Sequence, residues 1–256
     1  MSHERLLDNR SENLGISGIT AYVVAGGRGL RMESLTHDLI PKSLVNIGNS
    51  KVLLDFVFDT VSKVGINDIV VCLSHHSEKI IERYRGMDGM NINFSIDDIP
   101  NGGIVKALES ALKKFPQNKD FVFLHGDEVV TNFSLLEMFN FHKSNDGMVT
   151  GLLSKNLQAS RTVVMKLEND YHVSDFIRND DGSHYDYLSS LGLFIFKPSI
   201  YNEISRFKTW EDMMKTLSSE NKVYGFSSDA FFFNINTPEN LKDFVNFSIR
   251  SNIVDF

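Results

Sequence analysis

At 256 residues and 42% hydrophobic composition, the chain is long enough to bury a substantial core as one large α/β domain. Acidic side chains outnumber basic ones, 33 Asp plus Glu against 26 Lys plus Arg for a net charge of −7, and no Lys/Arg-rich block occurs, which argues against a nucleic-acid partner. A single cysteine, Cys72, excludes an intramolecular disulfide framework and reads as a small buried apolar side chain in a reducing compartment. Residues 1–17 are polar and mixed in charge, without the basic start and apolar stretch of a secretory signal, and no later run reaches the roughly 18 apolar residues of a membrane span. A cytoplasmic protein with no membrane partner is the expectation.

The apolar run from Ile19 to Ala25 stops at Gly26 and Gly27, the pattern of a buried strand feeding a turn. Leu53, Leu54, Val57, Phe58, Val61 and Val64 recur at helical spacing, Gly65 closes that helix, and Asp68 to Leu73 forms the next buried strand, giving a βαβ unit. The alternation continues with a helix from about Ser77 to Tyr84, a strand near Ile92 to Ile96, a helix from Ile104 to Lys114 and a strand from Phe121 to Leu124. Such a Rossmann-like, doubly wound α/β half places ligands at the carboxyl ends of its parallel strands, where Gly26 and Asp127 both lie. From about Met148 the order is less regular. Strands at Met148–Leu153, Val163–Leu167, Leu191–Phe196 and Phe231–Ile235 suggest a mixed, partly antiparallel sheet covering the mouth of the first half, with Arg178 to Tyr187 as an exposed loop. Thr237 and Pro238 form the N-cap and first position of a final helix.

The stretch Ala25-Gly26-Gly27-Arg28-Gly29-Leu30-Arg31 sets three glycines and two arginines directly behind a strand. Glycine lets backbone amides approach an anion closely, and arginine adds charge-assisted donors for phosphate oxygens. Pro41 then aims Lys42. A P-loop is excluded because Gly29 is followed by Leu30-Arg31 and not by Lys-Ser/Thr. A dinucleotide fingerprint is also excluded: Gly27 and Gly29 are followed by Met32, and Leu73 by Ser74-His75-His76 where an acidic residue would stand.

The run from Ala25 to Met32, then Leu35-Thr36 and Pro41-Lys42-Ser43-Leu44, closely resembles the signature of the sugar-1-phosphate nucleotidyltransferases. Leu124-His125-Gly126-Asp127 resembles that family's Asn-Gly-Asp metal motif, and Leu191 to Phe196 its Ala-Gly-Ile-Tyr-Ile-Phe strand. Trp210 to Leu217, Lys222 to Phe226 and Phe232 to Glu239 follow its closing section in order. The resemblance implies a GT-A-like nucleotide-diphospho-sugar transferase fold, predominantly parallel with a smaller antiparallel sugar-side portion. A single domain would span 18–256 behind the 1–17 extension, with a nucleotide-binding half over about 18–147 and a sugar-side half over about 148–256. It implies transfer of a nucleoside monophosphate from a nucleoside triphosphate to a sugar 1-phosphate, with Mg²⁺ and release of pyrophosphate. Arg31, Lys42 and Asp127 would be catalytic, with Ala25, Gly26, Gly27, Arg28, Gly29 and Gly103 on the nucleotide. Many members assemble as oligomers, which makes a homo-oligomer an expectation whose interface the sequence does not locate.

The departures from the pattern fall outside the triphosphate loop. The family's second metal ligand, an aspartate, is Asn234 here, an oxygen donor without charge, so Asp127 and Asn234 form a weaker expected metal pair. Asp229 is a candidate to compensate. The family's Glu-Lys pair aligns with Arg178-Asn179, leaving Arg161, Lys166 or Arg178, with Gly192, to meet the sugar phosphate. Lys106 and Glu128 read as solvated side chains, and His125 as a partner for local hydrogen bonds. His75 and His76 lack the spacing of a metal pair on one helix face and read as loop residues. Nucleobase and sugar stay open. Two functions fit: an enzyme with an unusual sugar phosphate, or a catalytically weak regulatory subunit or sensor that binds nucleotide sugar.

Overall fold

A computed structural model describes residues 16, 18–97, 102–155, 162–179 and 186–251. The chain enters β1 (Thr20–Val24), passes the short helix α1 (Glu33–Thr36) and the hairpin of β2 (Asn46–Gly48) and β3 (Lys51–Val52), and continues with α2 (Leu53–Ser62). Then follow β4 (Asp68–Leu73), α3 (Ser77–Tyr84), β5 (Asn91–Ile96), α4 (Gly103–Lys114) and β6 (Phe121–His125). The later chain adds β7 (Glu128–Thr131), α5 (Leu135–Ser144), β8 (Val149–Ser154), β9 (Thr162–Leu167), β10 (Val173–Asn179) and β11 (Leu188–Phe196). It closes with α6 (Trp210–Ser219), β12 (Val223–Ser228), β13 (Phe231–Asn234) and α7 (Pro238–Arg250).

Local chemistry explains the elements. In α2 the spacing of Leu53, Leu54, Phe56, Val57, Phe58 and Val61 buries one broad face, and Asp55 caps the helix by accepting from the Val52 N–H at 2.8 Å. Each such side chain stabilises the fold by roughly 1.5 to 3 kcal/mol when fully buried. Successive residues of β1 point to opposite faces: Ala21 and Val23 join the cluster under α2, α3 and α5, whereas Tyr22 packs with α4 and α6. Helices therefore cover both faces of the sheet. Cys72 is fully buried and free, where desolvation pushes its thiol pKa up and leaves it an apolar filler.

Strands β6, β1, β4 and β5 are adjacent and parallel, as the βαβ reading required. Beyond β6 the sheet turns antiparallel through β11, which pairs with β6, β8 and β9, with β10 beyond β9 and β12 parallel to β8. The second half thus continues the same sheet as the expected antiparallel portion, except that β13, expected among its strands, pairs with β7 apart from it. What stands off is the ribbon of β7 and β13, joined to β2, α2 and α7 by a third cluster containing Met32, Phe56, Val129, Phe233 and Phe244. Arg178 and Asn179 belong to β10, so the loop expected from Arg178 starts later, and residues 180–185 of it lie outside the described residues. Thr237 caps α7 as expected, accepting from the Asn240 N–H at 3.2 Å. No helix among the described residues is long and apolar enough to cross a membrane.

Candidate active site

The turn after β1 is held by backbone bonds, with Ala25 N–H donating to Cys72 C=O at 2.9 Å and His75 N–H to Gly26 C=O at 3.4 Å. Its glycines do different jobs. A Cβ on Gly26 would lie 2.7 Å from the Ser74 nitrogen, so only glycine lets the turn lie against β4's end. Gly29 has φ 64° and would press a Cβ to 2.9 Å from the Lys42 Cβ, so its absence of a side chain makes room for the lysine stem. Gly27 faces open space.

A cavity of about 310 Å³ opens there, lined by Ala25, Gly27, Arg31, Lys42, Asp127 and Asn234 among others. It unites residues read from widely separated segments. Gly26, Arg28, Gly29 and Gly103 lie outside its lining, although Gly103 starts α4 with φ 79° and the next residue, Ile104, reaches the cavity.

One chain of polar contacts crosses the cavity wall. Lys42 pairs with the Asp127 carboxylate and also donates to Asn236 Oδ1 at 2.6 Å, and its side chain is only 10% exposed. Asn236 in turn donates to Asn234 Oδ1, and Asn234 Nδ2 donates to Glu128 Oε1 at 2.9 Å. Glu128 closes the chain on His125, with Nδ1 and Oε2 2.7 Å apart. Burial raises the cost of ionising Asp127, but the charges of Lys42 and His125, with the hydrogen bond from Lys42, together outweigh it and hold the carboxyl below the usual carboxylate range. Burial alone would depress His125, yet Glu128, by charge and hydrogen bond, carries it above the ordinary imidazole value.

Glu128 corrects the reading of a solvated side chain: it starts β7 opposite Asn234 in the ribbon and is 12% exposed. Asn236, which the sequence did not single out, is a second member of this polar chain and also lines the cavity. Asp229 is exposed and outside the cavity lining, so it does not restore the missing carboxylate. Lys106 pairs with Glu109 at 2.6 Å along α4.

A second cavity of about 200 Å³ adjoins the first, sharing Ile104, His125, Glu128 and Asn234, and is lined further by Arg178, Ser190, Gly192 and Trp210. Trp210 stacks on Phe123 at 4.7 Å between ring centroids. Gly192, at φ 67°, faces Glu128 so closely that a Cβ would fall 1.5 Å from Oε2. Lys166 lies apart from both cavities, 46% exposed and 3.9 Å from Glu168, and Arg161 lies outside the described residues.

Fold and cleft define a doubly wound α/β protein whose main cavity, lined by Arg31 and Lys42 and by Asp127 and Glu128, sits at the carboxyl ends of parallel strands, with a smaller pocket continuing from it. A family model described as nucleotidyl transferase matches residues 20–229, and the chain belongs to that family. It is similar to the mannose-1-phosphate guanyltransferase of Debaryomyces hansenii, 26% identical over 231 residues that cover 87% of this chain and 62% of that protein. The chain thus spans less than two thirds of that relative's length. It is also similar to the D-glycero-α-D-manno-heptose 1-phosphate guanylyltransferase of Aneurinibacillus thermoaerophilus, 29% identical with 87% of this chain and 95% of that protein covered. A Bacillus anthracis structure, assigned as a glucose-1-phosphate thymidylyltransferase in complex with sucrose, shares the fold. Its TM-score is 0.79 at 16% identity, covering 93% of this chain and 97% of that one.

Proposed function

We propose that this protein transfers a guanylyl group from GTP to a manno-configured sugar 1-phosphate, releasing pyrophosphate. The observation that carries the reading is the single cavity lined by Gly27, Arg31, Lys42 and Asp127, residues from three separate segments. The choice of GTP and of a manno sugar is supported by the two guanylyltransferase relatives, one acting on mannose 1-phosphate and one on a heptose 1-phosphate by name.

A phosphate oxygen of the sugar 1-phosphate attacks the α-phosphorus of GTP in line. The new P–O bond forms as the bond to the bridging oxygen breaks, and that electron pair departs with pyrophosphate. Such chemistry needs positioning and charge neutralisation more than covalent help from the protein. The amide of Gly27 faces the triphosphate, Arg31 grips its leaving portion, and Lys42 neutralises charge at the attacked centre. Arg178 meets the sugar phosphate from the adjoining pocket, beside Gly192.

The donor set fits Mg²⁺, a hard ion that takes oxygen ligands and binds through one or two carboxylates plus substrate phosphates. Asp127 would hold it, and Glu128, opposite Asn234, offers the second carboxylate that Asn234 does not. When bound, the ion supplies charge neutralisation on the phosphate oxygens.

The test is pyrophosphate release by the purified protein with Mg²⁺, each common nucleoside triphosphate and a panel of sugar 1-phosphates. Turnover is expected with GTP and mannose or heptose 1-phosphate above all other pairs. No release with any pair, together with thermal stabilisation by nucleotide sugars, would replace the enzyme with a nucleotide-sugar sensor.

A further inference from the structure

Outside the cleft, the two histidines read as loop residues meet Asp38, which lies 37 residues before His75 in the chain. The His75 Nε2 lies 3.0 Å from Asp38 Oδ1, and His76 Nε2 lies 2.8 Å from the Asp38 carbonyl oxygen and 3.6 Å from Oδ1. One ligand atom from each of the three falls within 4.8 Å of the others. Among the described residues, no other group of three His, Cys, Asp or Glu side chains converges this way.

The arrangement is unusual for a surface hydrogen-bond cluster in two respects. Adjacent histidines normally diverge, yet at the junction of β4 and α3 the backbone of His76 is left-handed, with φ 52°, and the two rings lie 3.8 Å apart between centroids. Asp38 is also left-handed, with φ 51°, so two non-glycine residues hold sparsely populated conformations on opposite sides of the same contact. All three side chains are partly exposed, which leaves an entry path, and Glu78 adds a carboxylate 3.6 Å from His76 Nδ1.

Two imidazoles and one carboxylate form a donor set for borderline transition metals, unlike the all-oxygen set that suits Mg²⁺. We infer that Asp38, His75 and His76 form a surface binding site for one Zn²⁺-class divalent cation, with the remaining coordination positions open to water. The ion replaces the His–Asp hydrogen bonds and ties the segment between Arg31 and Lys42 to the β4–α3 junction, where Lys79 also donates to the Leu39 carbonyl. The inference rests on these three side chains and is independent of the nucleotidyl reaction.

Titration of the full-length protein, free of any histidine tag, with ZnCl₂ followed by calorimetry tests it, with CoCl₂ as a spectroscopic probe. The expected result is one equivalent of Zn²⁺ bound and a cobalt visible band, with affinity reduced at least tenfold in His75→Ala, in His76→Ala and in Asp38→Asn. His172→Ala, which removes the half-buried histidine paired with Asp170 at 3.0 Å, should leave binding unchanged, and the Asp38, His75 and His76 variants should melt like the wild type without metal. Wild-type affinity in the His75→Ala/His76→Ala double variant, or no binding by the wild type, overturns the site.

Discussion

The two adjoining cavities are built in different ways. The larger one is walled by turns at the ends of parallel strands, where Gly26 and Gly29 bring backbone against Ser74 and Lys42 and fix the loop. The smaller one is walled by the faces of antiparallel strands, where register decides which side chains meet: Arg178 from β10, Gly192 from β11 and Asn234 from β13. A turn-built wall depends on a few local backbone conformations. A register-built wall depends on every strand pair between its members, so substitutions there should act through packing as much as through chemistry. The largest expected effect tests the first wall. Arg31→Ala and Lys42→Ala should each lower turnover by about 10²- to 10³-fold, roughly 3 to 4 kcal/mol of barrier, while leaving the melting temperature nearly unchanged for Arg31. Wild-type kcat in a pyrophosphate-release assay with Arg31→Ala would remove that residue from the reaction.

Gly192→Ala probes the second wall. Its left-handed backbone costs an L-residue about 1 to 2 kcal/mol, and the new methyl must displace the Glu128 carboxylate from His125 and Asn234. A loss of about 2 to 3 kcal/mol in chemical denaturation is expected, partly recovered when Glu128→Ala is added. If the single variant were as stable as the wild type, the close packing of Glu128 on Gly192 would be wrong.

The same contrast explains what could be read from the sequence. In the parallel half the strand at Asp68–Leu73 and the helix at Ser77–Tyr84 have the bounds found in the fold, because a continuous apolar run or a helical stripe is a local signal. The glycine- and arginine-rich loop from Ala25 to Arg31 is equally local. Glu128 is not: nothing around it distinguishes a solvated glutamate from one that faces Asn234, 106 residues away across the ribbon. The strand at Val173–Asn179 was missed for a related reason, since Ser174, Asp175, Arg178 and Asn179 break the apolar run, while its pairing with β9 is specified at long range. Asp38 and the two histidines became a group only through tertiary contact.

A smaller effect separates the halves by pH. His142 on α5 is buried, with Nδ1 2.7 Å from Thr150 Oγ1 on β8, and burial lowers its pKa below the ordinary imidazole value. The unfolded chain therefore binds the proton more readily than the folded one. The contribution is fully present above the unfolded value near 6.5 and is lost as pH falls from there toward the depressed folded value. Between pH 7.5 and 5.5 this should cost about 1 kcal/mol, and the drop in melting temperature should shrink in His142→Gln. An identical pH dependence in both proteins would mean that His142 does not carry it.

The smallest effect sharpens the comparison where the two walls meet. Asn234 faces Glu128 across the ribbon and lines both cavities, so Asn234→Asp puts two carboxylates opposite each other and removes the amide that donates at 2.9 Å. Like charges across a strand pair cost up to about 1 kcal/mol, so the metal-free protein should melt roughly 1 to 4 °C lower in EDTA. The same added charge should tighten Mn²⁺ binding severalfold, because affinity for hard cations follows the number of charged oxygen ligands. The two shifts have one origin and should appear together. Destabilisation in EDTA without any gain in Mn²⁺ affinity would put Asn234 against Glu128 but away from the cation, and an unchanged melting temperature would mean that the two side chains do not face each other.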